Sequence, residues 1–570
     1  MSWIFGFYSK QSTMNNLDLS KCHPKSISFV SNSKFYIAIG GNNNTIVFDS
    51  ENQESNFFVC GFAFTQNGEK ILDKSDWQSI LFNSPPPEDL NFLNGHFCGA
   101  VIKNDSITLF TDQLGLRELH IFENNDGWYF STRLDWLFQL DDFEIDYNEF
   151  SSRWLSINQL SNKSIIKNIH RLNCGQKAVI NNNRYEIIKN NWLPQKRNKY
   201  DIDEFKSNLE KNILLGPNNN SKISLSLSGG LDSRVILSIL LKSENNNWDC
   251  HTFNTNEIMD SVITDKISKE LKLKHRKLSM KNTDTDEIIS ELFEYVGSTY
   301  LTDSVANSRK LMHYKYLSQD EIIIDGGFGE IWRREYLTRL YHFGKKDIEN
   351  KNYLNISKYL FNYRADIFTN DCLELMEIGI IDQVERLTNL LPSINDIGIS
   401  NWLDLFSIKT RLINFYAPEQ ARIDNYVTAY MPFAQLNLLN QLFNIPIEKR
   451  KNNRLLKSII KSNCERLSDY YLAKGDMSYP FYFTPLMKRT YSLIHNKLTN
   501  HDDNIEFDLF LKSIKDFLMD SLLSGQAKEY APYNYKLILE NVVSYYNGNS
   551  NNRQFVNWFL TFEIFRQIMQ

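Results

Sequence analysis

The chain has 570 residues, a formal charge of −5 and 23% charged residues; that is long enough for two or more domains with substantial cores, and it lacks the strongly basic balance of a dedicated nucleic-acid binder. Its seven cysteines, Cys22, Cys60, Cys98, Cys174, Cys250, Cys372 and Cys464, stand singly, with no C-x-x-C and no paired histidines for a zinc site, which fits a reducing cytoplasm. Met1 to Gly6 put no basic segment ahead of a long apolar core, and no later run reaches the ~18 apolar residues of a membrane span, so a soluble, unexported protein without membrane or nucleic-acid partners is expected.

Residues 1 to about 140 read as short β-runs split by Asn, Gly and Asp. Strands are predicted at Phe35–Ile39, Phe57–Phe64, Phe97–Ile102, Ile107–Phe110 and Gly127–Ser131. Strands this closely spaced point to antiparallel sheets packed face to face. Within this region Gly95-His96-Phe97, then Thr111-Asp112-Gln113-Leu114-Gly115-Leu116-Arg117-Glu118-Leu119, then Phe130-Ser131-Thr132-Arg133 resemble the G-x-F, R-D-x-x-G-x-x-P-L and F-A-S-E elements of class II glutamine amidotransferase domains, in order and in spacing.

From 140 to 220 the composition suggests a mixed linker, with an Asn-rich stretch at Ile180–Asn183 and a turn-rich boundary at Gly216-Pro217-Asn218-Asn219-Asn220. Immediately after it, Ile223, Leu225 and Leu227 alternate as a strand, Ser228-Gly229-Gly230 turns, and Leu231-Asp232-Ser233 opens a helix with an apolar face at Val235, Ile236, Ile239 and Leu240. Gly229 and Gly230 can take positive φ, so successive N–H groups can converge on an anion at the helix start. Ser228 and Ser233 add hydroxyls, and Asp232 is placed to hold a cation against the same anion. No lysine follows as in G-x-x-x-x-G-K-[ST], which excludes a kinase-type P-loop. The hexapeptide resembles the S-G-G-x-D-S loop of N-type ATP pyrophosphatases.

With the amidotransferase-like elements ahead of it, the chain resembles the asparagine synthetase family, in which a glutaminase domain precedes an ATP pyrophosphatase domain. Gly175-Gln176 and Asn191-Trp192 match that family's P-G turn and Y-W. The implied fold is α+β: an N-terminal antiparallel β-sandwich of Ntn, amidotransferase-like type at 1–200, then a doubly wound α/β pyrophosphatase domain at 201–570 ending in a largely helical part. Implied ATP-binding residues are Leu227, Ser228, Gly229, Gly230, Leu231, Asp232 and Ser233. A second parallel strand at Cys250–Thr255 adds Asn254 and Thr255 beside adenine, and a helix follows from Asp260 to Leu271. A third strand, Glu321–Ile324, ends in Asp325-Gly326-Gly327-Phe328-Gly329-Glu330, similar to the family's S-G-E-G-S-D-E. Loops at the carboxyl ends of parallel strands are where nucleotides bind in open α/β sheets.

The departures from the family pattern are as informative. The glutaminase nucleophile is a cysteine exposed by removal of Met1, and here the residue is Ser2, a far poorer nucleophile. Val59-Cys60-Gly61-Phe62 stands where an N-G-E strand supplies an oxyanion-hole Asn, so Ser2 and Cys60 mark a degenerate glutaminase site in an inactive domain. The family's magnesium-binding Asp falls on Gly329, leaving Asp325 or Glu330 as metal partner to Asp232. Thr428–Phe433 resembles E-V-R-V-P-F with Tyr430 for the Arg. The K-Y-L-L-R lysine is Asn453, and Lys451 is the expected substitute, with Lys457 nearby.

The resemblance implies an AMP-forming amide ligase using ATP and Mg2+. A substrate carboxylate, small-molecule or peptide, is adenylated, and an amine then displaces AMP. Without glutamine hydrolysis the amine is free ammonia or belongs to the substrate, as in β-lactam synthetases and lasso-peptide macrolactam cyclases. A precursor peptide with its processing proteins, and a homodimer, are partners this allows. Three alternatives stand beside it: a true asparagine synthetase, a tRNA-modifying pyrophosphatase, which would need a basic face or an added RNA domain and which the amidotransferase-like front domain argues against, and a catalytically silent binding or regulatory relative.

Overall fold

The computed structural model describes residues 2–11, 18–51, 55–82, 88–181, 184–194, 201–253, 258–279, 284–298, 305, 308, 311–318, 320–334, 336–362, 364–475, 477–498 and 505–570. The front half is built on twelve strands: β1 (Trp3–Ser9), β2 (Ser28–Ser31), β3 (Phe35–Gly40), β4 (Ile46–Asp49), β5 (Ser55–Phe64), β6 (Asn94–Lys103), β7 (Ser106–Thr111), β8 (His120–Glu123), β9 (Gly127–Ser131), β10 (Ile169–Arg171), β11 (Lys177–Asn181) and β12 (Arg184–Ile188). They form two six-stranded sheets, ordered β10-β8-β9-β1-β3-β2 and β12-β11-β7-β6-β5-β4. Every pairing is antiparallel, with Cys60 of β5 directly opposite Cys98 of β6.

Alternation along the strands splits their side chains between separate cores. Ile4, Ile37 and Ile39 of one sheet meet Phe58, Cys60, Cys98, Ala100 and Leu109 of the other in a shared interior. The opposite faces are covered as well: Trp3, Phe5 and Phe7 pack with Trp136, Leu137 and Trp154, while Phe57, Val59 and Phe97 pack with Trp77 and Leu81 of the helix Lys74–Phe82. Two-sided burial explains why β5 reads as a nearly unbroken apolar run. All five predicted strands of this region form. The expected linker does not, because Tyr147–Leu155 is a helix and β10 to β12 complete the sheets. Gly216-Pro217-Asn218 is likewise no loop; it closes the helix Ile202–Asn218, where Pro217 falls in the last turn.

Behind the sandwich lies a parallel sheet of β13 (Lys222–Ser226), β14 (Trp248–Phe253), β15 (His275–Leu278), β16 (Glu321–Ile324) and β17 (Thr428–Tyr430), ordered β15-β14-β13-β16-β17. Ile322 and Ile324 face one hydrophobic core and Ile323 the other. Both sheet faces are therefore covered, and Glu321–Ile324 can be apolar at consecutive positions. The strand order reverses direction at β13, so a crevice opens between the loops leaving β13 and β16, the switch point at which such sheets bind ligands. Helices make up most of the chain beyond Thr338, with Trp402, Leu405, Phe406, Leu438, Leu439 and Leu442 buried as their spacing suggested. Among the described residues no helix is long and apolar enough to cross a membrane.

One pH effect belongs to this sheet. His251 of β14 is fully buried, with Nδ1 2.8 Å from the Ser224 hydroxyl. Burial first, then the nearby Arg276 charge, pushes its pKa from 6.5 to about 3. Between those values the unfolded chain binds a proton that the folded chain refuses, so stability falls as pH falls, by about 1.4 kcal/mol per pH unit. Chemical denaturation from pH 6.5 downward should show that slope, and His251→Asn should flatten it.

Candidate active site

The Leu227–Gly230 turn joins β13 to the helix α1 (Leu231–Lys242), whose N-cap is Gly230. Its hydrogen bonds are local: Ser228 N–H donates to the Ser233 hydroxyl (3.2 Å), the two hydroxyls lie 3.0 Å apart, and Gly230 N–H donates to the Ser228 hydroxyl (3.2 Å). Gly229 N–H donates to the Asp260 carboxylate at 2.8 Å, so a negative oxygen already rests on this loop. Contrary to expectation, the glycines do not use positive φ; Gly230 is extended at φ −75°. Space is what demands Gly229, where a Cβ would stand 2.6 Å from the Ala473 Cβ and 2.7 Å from Asp260. Arg234, buried one turn into α1, donates to the carbonyls of Gly229, Leu467, Tyr470 and Tyr471, tying the loop to the hairpin Leu472–Lys474 and Met477–Tyr479.

The loop faces a cavity of about 530 Å³ whose walls include Ser228, Gly230, Leu231, Asp232, Ser233, Asp325, Gly326, Gly327 and Glu330. The residues singled out on two separate strands are thus brought to one place. Leu227 and Gly229 stand behind this lining; Leu227 extends β13 through N–H to the carbonyl of His251 (2.9 Å). Asn254 and Thr255 lie outside the described residues.

Asp232, in the first turn of α1, accepts from the Arg333 guanidinium at 2.8 Å. Gly329 lies directly beneath it: a Cβ there would be 2.5 Å from the Asp232 carboxyl carbon. The position aligned with a metal-binding Asp does face Asp232, whose side chain takes up the space that a side chain there would need. Asp325 accepts from Gly327 N–H at 2.7 Å; burial, reinforced by Glu330, raises its pKa above the ordinary range against that hydrogen bond. Glu330 is buried, and its Oε1 accepts from Arg411 Nε (2.9 Å) and the Tyr416 hydroxyl (2.6 Å). Arg411 and Tyr416 both belong to a π-helix, Ile408–Tyr416, an uncommon form often found at functional sites. Glu330→Gln should therefore leave the magnesium dependence of activity unmoved and lower stability by about 1–2 kcal/mol, because Arg411 keeps a polar acceptor but loses its charge partner. A magnesium titration beside a urea melt checks both.

The cations on the cavity walls are Arg333, Arg411, Lys474 and Lys488. The two expected lysines are elsewhere. Lys451 points outward to Glu448 (3.3 Å), and it is the neighbouring Arg450 that turns in, fully buried against Asp404 (2.6 Å). Lys457 donates to the carbonyl of Phe483 (2.8 Å). Asn453, aligned with the family lysine, does line the cavity. Tyr430, aligned with the Arg of E-V-R-V-P-F, stacks on Phe62 of the front sandwich at 5.3 Å and is buried. Asp260, Arg333, Arg411, Tyr416, Lys474 and Lys488 were not anticipated. The Arg333-Arg334 pair just after the second loop was the one local signal available; the others arrive from distant segments.

Ser2 and Cys60, expected to mark a degenerate glutaminase site, both lie beside Arg117. Ser2 is fully buried, and Arg117 donates to both its carbonyl and its hydroxyl, the latter at 3.0 Å. Arg117 also pairs with Asp424 (2.7 Å), which His96 contacts at 2.9 Å. Asp424 caps the helix Ala417–Ile423 of the rear half, so this buried cluster joins the two halves of the molecule. Beside it the Cys60 and Cys98 sulfurs are 3.5 Å apart. Burial raises the Cys60 thiol, but the Cys98 hydrogen bond and the Arg117 charge outweigh it and hold it below its ordinary value.

Residues 218–321, which span the loop and β13 to the start of β16, match the family model for asparagine synthase. That segment is similar to asparagine synthase domains. No curated protein matches the chain significantly. Two solved structures overlap it weakly. Glutamine phosphoribosylpyrophosphate amidotransferase from B. subtilis, complexed with ADP and GMP, shares 11% identity over 58% of this chain and 71% of its own, at a TM-score of 0.22. A structure described as the allosteric regulatory enzyme of purine biosynthesis shares 9% over 57% and 68%, also at 0.22. Overlap that slight carries nothing over to this chain.

Proposed function

We infer that the protein is an AMP-forming amide ligase that adenylates a substrate carboxylate and transfers the acyl group to an amine. The observation that carries this reading is the convergence of the Ser228 loop, Asp232 and the Asp325–Gly327 loop on one cavity at the carboxyl ends of β13 and β16. In this reading the pyrophosphate part of ATP lies at the N-terminus of α1, where Ser228, Ser233 and the helix dipole favour negative charge. Arg333, Lys474 and Lys488 supply positive charge around it, and catalysis rests on positioning and neutralisation rather than covalent work. The donor set suits magnesium, which commonly takes one or two carboxylates and completes its shell with phosphate oxygens and water; Asp232 would hold it, with Asp325 on the adjoining loop. When bound, the ion shields the phosphate charges that otherwise repel an incoming carboxylate.

The nitrogen comes from ammonia or from an amine carried by the substrate, because Ser2 is packed beneath Arg117 in a cluster that holds the halves together. This favours ligases that close lactams, including macrolactams of a precursor peptide, over glutamine-dependent asparagine synthesis. The front domain, 1–200, then acts as a structural support for the ligase domain, 201–570. Exchange of labelled pyrophosphate into ATP, tested across small and peptide carboxylates, reads the first half-reaction directly. No exchange with any carboxylate while the protein still binds ATP would instead favour the silent relative.

A further inference from the structure

We propose that Arg333 is a catalytic residue of this cavity, its guanidinium taking up charge on the departing pyrophosphate beside any cation that Asp232 holds. The inference rests on the adenylation reading. In that step a substrate carboxylate oxygen bonds to the α-phosphorus, and the bond from that phosphorus to the oxygen bridging to the β-phosphate breaks. The bridging oxygen leaves with the electron pair, so negative charge grows on pyrophosphate and must be met where it appears.

Three observations converge on Arg333. It lines the same cavity as the Ser228 loop, and it is the cation seated on Asp232, at 2.8 Å, in the first turn of the helix that would receive the phosphates. On the other side of Asp232, Gly329 carries no carboxylate, and a Cβ there would stand 2.5 Å from the Asp232 carboxyl carbon, so the Asp232 side chain takes up the space a second side chain would need. The site thus has a permanent positive charge beside Asp232 and no carboxylate at Gly329. A guanidinium stays charged at any working pH and presents a planar fork of donors that matches phosphate oxygens. Asp260 completes the pattern from the other side, its carboxylate resting on the Gly229 N–H where a phosphate oxygen would lie. The loop is thus lined internally by one anion and one cation, and pyrophosphate would exchange with the first while drawing on the second.

The test is calorimetric titration of inorganic pyrophosphate into the full chain, once with a chelator and once with magnesium chloride, for the unmodified protein, Arg333→Gln and Arg333→Lys. Thermal unfolding of each variant accompanies it, and the lysine variant retains the charge against Asp232 should the glutamine variant fold poorly. The unmodified protein is expected to bind pyrophosphate without metal. Arg333→Gln should lose at least tenfold of that affinity, Arg333→Lys less, and the loss should shrink when magnesium is present. Equal or tighter metal-free binding by Arg333→Gln, or metal-free binding absent from the unmodified protein, overturns the proposal and leaves the Asp232–Arg333 pair as a structural tie. If the unmodified protein binds no pyrophosphate even with magnesium, the adenylation reading fails and takes this inference with it.

Discussion

Asp232→Ala is expected to lower pyrophosphate exchange into ATP by at least about 10³-fold, because the residue opens the helix that follows the phosphate loop, lines the same cavity and holds Arg333. Without it a cation has no anchor at the start of α1, and the Arg333 guanidinium loses the partner that aims it. The fold should survive. Both side chains keep some solvent contact, at 22% and 14% exposure, so losing the pair costs no more than about 1–2 kcal/mol. Exchange assays at saturating magnesium, beside thermal melts of both proteins, separate the two effects. Full activity in the variant would remove ATP from this cavity.

Glutamine should not be hydrolysed at a useful rate, with or without ATP. Replacing a thiol by the Ser2 hydroxyl weakens the nucleophile, and loss of one oxyanion donor at the Cys60 strand costs roughly a further 10²–10³. The packing adds a reason absent from the sequence. The Ser2 hydroxyl and carbonyl are both engaged by Arg117, which Asp424 holds from the other half of the molecule. For this reason Ser2→Cys is also expected to stay inactive. Glutamate release from glutamine by the two proteins, measured side by side, decides the matter. Clear release by the unmodified protein would return glutamine-dependent asparagine synthesis to first place, and release by Ser2→Cys alone would show that the pocket survives and only the nucleophile is gone.

What the sequence determined by itself is local. The Ser228 loop was legible because strand alternation, two glycines, two hydroxyls and Asp232 follow one another within a single strand-turn-helix unit, each answering to backbone geometry or charge at a helix end. The strands Phe57–Phe64 and Glu321–Ile324 were legible because burial on both faces writes an unbroken apolar run. The turn expected over Gly216 to Asn220 forms only at Asn219 and Asn220, because the helix Ile202–Asn218 runs on through Gly216-Pro217-Asn218, its packing outweighing turn propensity in the last turn. The lysine expected at 451 failed for a related reason: within Lys449-Arg450-Lys451 composition cannot say which side chain turns in, and left-handed residues at Asn452 and Asn453 reset the chain direction there. Only the tertiary structure could seat Arg411 and Tyr416 on Glu330 from a π-helix some 80 residues away, or set Asp424 on Arg117 across the two halves. Charged groups that meet across such separations leave no periodicity in the chain, because their pairing is decided by how whole layers pack rather than by the residues beside them.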